Sequence, residues 1–205
     1  MSYISSFCHI TTSTCFVNGV EVLKATEGDF LKELYLSLGI KYSKFHKMDM
    51  LSKLAFIGSE LLIKEMPEIA NYGENDIALL FANKTSSAVT DLKFLDSYKE
   101  KGFPSPGLFV YTLPNILMGE ISIKNKWYGE NMFTIQPQFD AAYFANYSSI
   151  LLNKNSEAAL CGWVNISEEK IESFFFFIAK KDLKQLDLQL SSEKLKELFS
   201  TVKFD

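Results

Sequence analysis

Apolar positions along this chain fall into two kinds of block: short runs with little polar interruption, and longer stretches in which apolar residues recur every third or fourth place. The first kind predicts strands and the second amphipathic helices. Residues 2–10 and 14–22 read as two extended segments forming a hairpin, with Asn18 and Gly19 as a turn between the halves of the second. Thr26 followed by Asp29 has the form of a capping box, after which Phe30, Leu31, Leu34 and Leu38 share a helical face that Gly39 ends. Leu51, Leu54, Ala55, Gly58, Leu61 and Leu62 make the best-defined helix, with Lys53, Glu60 and Lys64 on the opposite face and Pro67 at its end.

Residues 77–82 are an unbroken apolar run suited to a strand covered on both faces, and residues 90–101 form a helix closed by Gly102 and Pro104. Residues 132–135 are strand-like. Residues 141–152 are apolar or small almost all the way round, which predicts a helix enclosed by other elements. Residues 158–164 and 173–179 complete the strands. Phe174, Phe175, Phe176 and Phe177 show no alternation, as expected of a central strand. Ser191 or Ser192 caps a last helix whose Leu195, Leu198 and Phe199 share a face. The pattern is α/β, strands and helices alternating around one sheet.

Composition narrows the function classes. With 205 residues, 47% of them hydrophobic, the chain can bury one sizeable core, and we read residues 1–205 as a single domain. A formal net charge of −4 with scattered lysines gives no basic stripe for nucleic acid and no polybasic membrane patch. The N-terminus lacks the basic start and apolar core of a secretory signal. The longest uncharged run, residues 103–119, is broken by Pro104, Pro106 and Pro114. A cytoplasmic protein is expected, and three cysteines at no paired spacing suit a reducing compartment.

Common reactive constellations have little foothold. Cys161 lies in an apolar strand where burial makes a thiol inert. Cys8, His9 and Cys15 lack the spacing and the fourth ligand of a metal site. Ser59 sits inside a helix without a nucleophile elbow, and no phosphate-binding glycine loop is present. The acidic pairs Glu74, Asp76 and Glu168, Glu169 read as solvated turns.

One ordered set of motifs goes further. Lys47, Met48 and Asp49 open a helix; Ser105, Pro106, Thr112 and Asn115 follow with apolar residues between them. Then come Gly119, Gly129, the strand at 132–135, a sharp turn, a helix at 140–153, a strand at 158–162 ending in Gly162, and a further strand at 173–180. Over residues 43–180 this order resembles the first half of the β-ketoacyl synthases, the condensing enzymes of fatty-acid and polyketide assembly. The resemblance implies a thiolase-like half fold, layered α/β/α around a five-stranded, mostly parallel mixed sheet, with the strand at 173–180 antiparallel to the rest. It implies neither cofactor nor metal.

The departures from the pattern matter as much. Where the family carries its nucleophilic cysteine this chain has Gln136, Pro137 and Gln138, and its only histidines, His9 and His46, lie far upstream of the family's catalytic pair. An amide cannot form the thioester on which condensation depends. Glutamine at this corner resembles the chain length factors of type II polyketide systems; a polar turn residue is the plainer account. The resemblance further implies a dimer edge at Met132, Phe133, Thr134 and Ile135, paired with a catalytic ketosynthase or a second copy. Leu108, Phe109, Tyr111 and Asn115 would lie against the partner's acyl tunnel, and an acyl carrier protein would be an indirect partner. The competing expectations are an acyl-transferring or acyl-hydrolysing enzyme that uses Cys161 or a water held by Gln138, and an unrelated α/β binding domain.

Overall fold

The computed structural model describes residues 1–26, 28–167 and 170–202; Glu168 and Glu169 lie outside the described residues. The chain begins with β1 (Tyr3–Thr11), β2 (Thr14–Val17) and β3 (Val20–Lys24), followed by α1 (Phe30–Ser37) and α2 (Met50–Glu65). Next come β4 (Ile77–Asn83), α3 (Ala88–Lys101), the one-turn α4 (Pro106–Phe109) and α5 (Ile116–Asn125). The sequence closes with β5 (Asn131–Ile135), α6 (Ala141–Lys154), β6 (Ala158–Ile166), β7 (Ile171–Ala179) and α7 (Ser192–Phe199).

All the strands join one sheet in the order β3-β2-β1-β7-β6-β4-β5. Strand β4 runs parallel to β5 and β6, while β7 is antiparallel to both β6 and β1. The sheet has seven strands rather than the expected five. Asn18 and Gly19 both take positive φ, at 50° and 81°, and the Asn18 side chain accepts hydrogen bonds from Ser6 Oγ and Phe7 N. That tight turn divides the segment at 14–22 into two strands where the sequence places it, and the two strands extend the sheet past β1. A register irregularity between Cys15 and Phe16 bends the outermost pair.

The helices α1, α2 and α5 pack on one face and α6 and α7 on the other. Strand β7 serves both layers. Phe175 and Phe177 enter the α2 side, Phe174 and Phe176 enter the α6 side, and all four are fully buried. Helix α2 lies so close to β7 that a Cβ on Gly58 would stand 2.4 Å from the Phe175 ring.

Four local expectations change. The cap of α1 is Asp29, which accepts from Lys32 N, while Thr26 donates its hydroxyl to Glu33. Helix α6 is covered on one side only, since Ala142, Asn146 and Ile150 are exposed; its small residues are divided, with Ala145 and Ser148 buried and Ala142 facing outward. The helix buried most of the way round is α2, where Glu60, expected on the polar face, is buried and paired with Lys124 at 2.8 Å. Lastly, Gly162 does not end its strand. It lies within β6, where a Cβ would stand 2.5 Å from the Phe81 ring.

Gly129 precedes β5 and leaves no space at all: a Cβ there would meet the Ile77 carbonyl oxygen at 2.5 Å and that of Asn75 at 3.0 Å. Backbone cannot give way as a side chain can. Gly129→Ala is therefore expected to lower unfolding stability by about 1–3 kcal/mol. Gly119→Ala, inside α5 with nothing within 4 Å, should raise it by roughly 0.5–1 kcal/mol. Urea unfolding of the two variants reads both, and equal midpoints would contradict this packing.

Candidate functional site

The turn from β5 into α6 lies where the resemblance expects a nucleophile. Gln136 N donates to Asn83 O at 2.8 Å, carrying the β4–β5 ladder one residue beyond the strand. Pro137 and Gln138 are exposed, and Asp140 caps α6 by accepting from Tyr143 N at 2.9 Å. No residue from 136 to 140 has positive φ, so the corner turns without backbone strain. The Gln136 and Gln138 side chains make no hydrogen bond to the described residues and form the polar lip of a groove whose other wall is Ser192, Glu193, Lys196 and Ser200.

Beneath that lip the site is aromatic. Phe139 turns inward and stacks on Phe144 with centroids 5.4 Å apart and on Phe199 of α7 at 4.3 Å, and meets Phe174 edge-on at 5.5 Å. Phe174 in turn stacks on His9 at 4.6 Å. The His9 side chain is buried, its ring lying between Phe174 and the end of α7. Sequence reasoning missed this cluster, because His9 and Phe199 come from opposite ends of the chain. The available signal was Phe139, the one large apolar residue among the polar residues of the turn.

The segment at 105–115 lies at the same end of the sheet, tied there by the Ser87 hydroxyl, which donates to Thr112 O at 2.7 Å. Ser105 caps α4 by accepting from Leu108 N, and Asn115 is exposed. Of the other three residues expected at the tunnel, Phe109 is 63% exposed, Leu108 is half-buried and Tyr111 is 8% exposed. Tyr111 faces its own core, donating to Glu120 Oε1 at 3.1 Å, and Glu120 also pairs with Lys44 at 2.9 Å. The exposed apolar residues here are Phe103, Phe109, Val110 and Leu113.

Strand β5 is the last strand on its side of the sheet and pairs with β4 alone. Met132, Phe133 and Thr134 are partly buried and Ile135 is 52% exposed. Because Gln136 N points towards β4, strand alternation turns the amides of Phe133 and Ile135 outward.

The cysteines are all free and buried. Burial pushes the Cys15 thiol up to about 12 and holds Cys8 and Cys161 well above the usual thiol range, so none is a thiolate near neutrality. Cys161 lies in β6 facing the α6 layer rather than at the corner. No group of three His, Cys, Asp or Glu among the described residues is arranged to hold a metal ion. No helix among them is long and apolar enough to cross a membrane.

No protein-family model matches the sequence, and no curated protein is similar to it. Solved structures are similar in shape. The ishigamide ketosynthase/chain length factor superposes with a TM-score of 0.64 at 11% identity, covering 90% of this chain and 63% of its own. This chain has a ketosynthase-like fold. The ketosynthase ApeO in complex with its chain length factor ApeC from Xenorhabdus doucetiae gives 0.58 at 11% identity, over 87% of this chain and 79% of that one. A type II polyketide synthase acyl carrier protein in complex with its ketosynthase bound to the hexaketide, AntDE:AntF, gives 0.61 at 12%, over 88% of this chain and 62% of that one. This chain thus spans under two-thirds of the length of two of these structures and about four-fifths of the third.

Burial lowers the His9 imidazole from 6.5 to about 4, while the nearby backbone of Phe199 and Leu198 acts the other way. Above pH 6.5 the ring is neutral in both folded and unfolded chains. As pH falls from 6.5 to 4 the unfolded chain takes up a proton that the folded one refuses, so stability falls by up to about 3 kcal/mol. His9→Phe should remove that part of the slope in denaturant midpoints measured across this window. An unchanged slope would contradict a buried neutral His9.

Proposed function

We propose that this chain is a non-condensing, ketosynthase-like subunit that pairs with an active β-ketoacyl synthase and acts as a chain length factor does. The observation that carries the reading is the corner: a fold shared with ketosynthase/chain length factor complexes has Gln136-Pro137-Gln138 at the turn expected to hold the nucleophile. Condensation requires a thiolate to accept the acyl group. The buried Cys161, with its thiol held protonated, offers no substitute and speaks against the acyl-transferase alternative.

The test is chemical. Incubated with an acyl thioester, the isolated chain should keep its intact mass and release no free thiol beyond the uncatalysed rate. A covalent acyl adduct, or thioester hydrolysis that Gln138→Ala abolishes, would overturn the reading in favour of an enzyme.

The partner surface in this reading is the outward edge of β5, whose free amides and carbonyls suit pairing with a strand of a ketosynthase or of a second copy. The acyl carrier protein would act on the ketosynthase and meet this subunit indirectly. Of the residues expected at the partner's tunnel, Phe109 is the one free to reach it, while Tyr111 and Asn115 would shape the segment that carries it. Ile135→Pro removes an outward amide and leaves the β4 ladder intact. It should abolish co-purification with the cognate ketosynthase while the chain stays folded. In a reconstituted system Phe109→Ala should lengthen the product, since a smaller side chain leaves room for further methylenes. Retained pairing in the first variant or unchanged product length in the second would remove the corresponding assignment.

A further inference from the structure

Helix α7 is attached to the body in two separable ways. The chain before it is fixed by backbone pairing, Ile4 N to Leu188 O at 2.8 Å and Leu190 N to Ser2 O at 2.9 Å. The helix itself starts at the extended Ser191, whose side chain accepts from Lys194 N, and no strand pairs with it. Its outer face carries Glu193, Lys194 and Glu197, with Lys194 paired to Glu197 at 2.6 Å. Its inner face sets Leu195, Leu198 and Phe199 on Phe139, Phe144, Phe174 and Phe176. The groove at the corner opens directly along this seam, lined on one side by residues 136–142 and on the other by Ser192, Lys196 and Phe199.

We propose that α7 is a lid, hinged at Ser191, over an aromatic slot that takes a linear apolar chain whose polar end rests at the lip of Gln136 and Gln138. Lifting the helix withdraws Phe199 from its stack on Phe139 and leaves a floor of aromatic rings, long and without charge, which fits an aliphatic chain. The polar outer face lets the displaced helix stay solvated. His9, buried beside the end of α7 and stacked on Phe174, loses part of its cover when the helix lifts. That the chain is an acyl group rests on the subunit reading above; the lid itself does not.

The test uses the isolated full chain and dansyl-undecanoic acid as probe. Phe199→Ala should bind the probe about tenfold more tightly than the unaltered chain, because closure no longer competes with the ligand. Bound probe should also speed amide exchange in residues 192–199 while residues 141–154 stay protected. Equal affinity in the two proteins, or binding that leaves exchange in α7 unchanged, would overturn the lid. Should Phe199→Ala fail to fold, exchange in the unaltered chain decides: α7 opening ahead of α6 supports the lid, and the two exchanging together refutes it. Pairing with a ketosynthase is read separately, so failure of the subunit reading and failure of the lid are told apart.

Discussion

Four consecutive phenylalanines in the middle of the sheet hold the two helical layers to one another. Phe175 and Phe177 anchor α2, and Phe175 lies against Gly58 closely enough to exclude any side chain there. Phe174 and Phe176 anchor α6 and α7, and Phe174 also carries Phe139 and His9. Full burial of one such ring is worth roughly 1.5–3 kcal/mol. The larger consequence is geometric, because the same strand sets the height of the corner on one face and the depth of the central helix on the other.

The corner combines properties that would conflict in a condensing enzyme. Its lip is polar, exposed and free of backbone strain, while its floor is a dry aromatic stack that continues into the C-terminal helix. A nucleophile needs a polarising neighbour and an open space in front of it. Here the neighbouring imidazole is buried, neutral and turned to the end of α7, and the space behind the turn is filled by Phe139 and Phe199. Neither feature resembles the surroundings that activate a nucleophile.

Much of this was legible in the sequence wherever burial on both faces leaves its mark. Strands β4, β6 and β7 announce themselves as unbroken apolar runs, and α2 by its spacing. The seven-strand count was not legible, because an Asn-Gly pair inside one extended run reads as a turn without saying that its outer half joins the main sheet. Small residues misled at α6, since alanine and serine suit close packing and solvent equally well. At the site, the glutamines could be singled out from the motif order. Their aromatic floor could not, because His9, Phe139, Phe174 and Phe199 are united only by the fold.

The two margins of the sheet are unlike. At one, β3 is five residues long, carries Glu21 and Lys24, and follows an irregularity that twists it away from a flat continuation. A strand so short, charged and bent discourages any further chain from lining up beside it. At the other, β5 is equally short but carries no charged side chain and no irregularity. A further strand would therefore meet a charged, bent margin at β3 and an uncharged, regular one at β5.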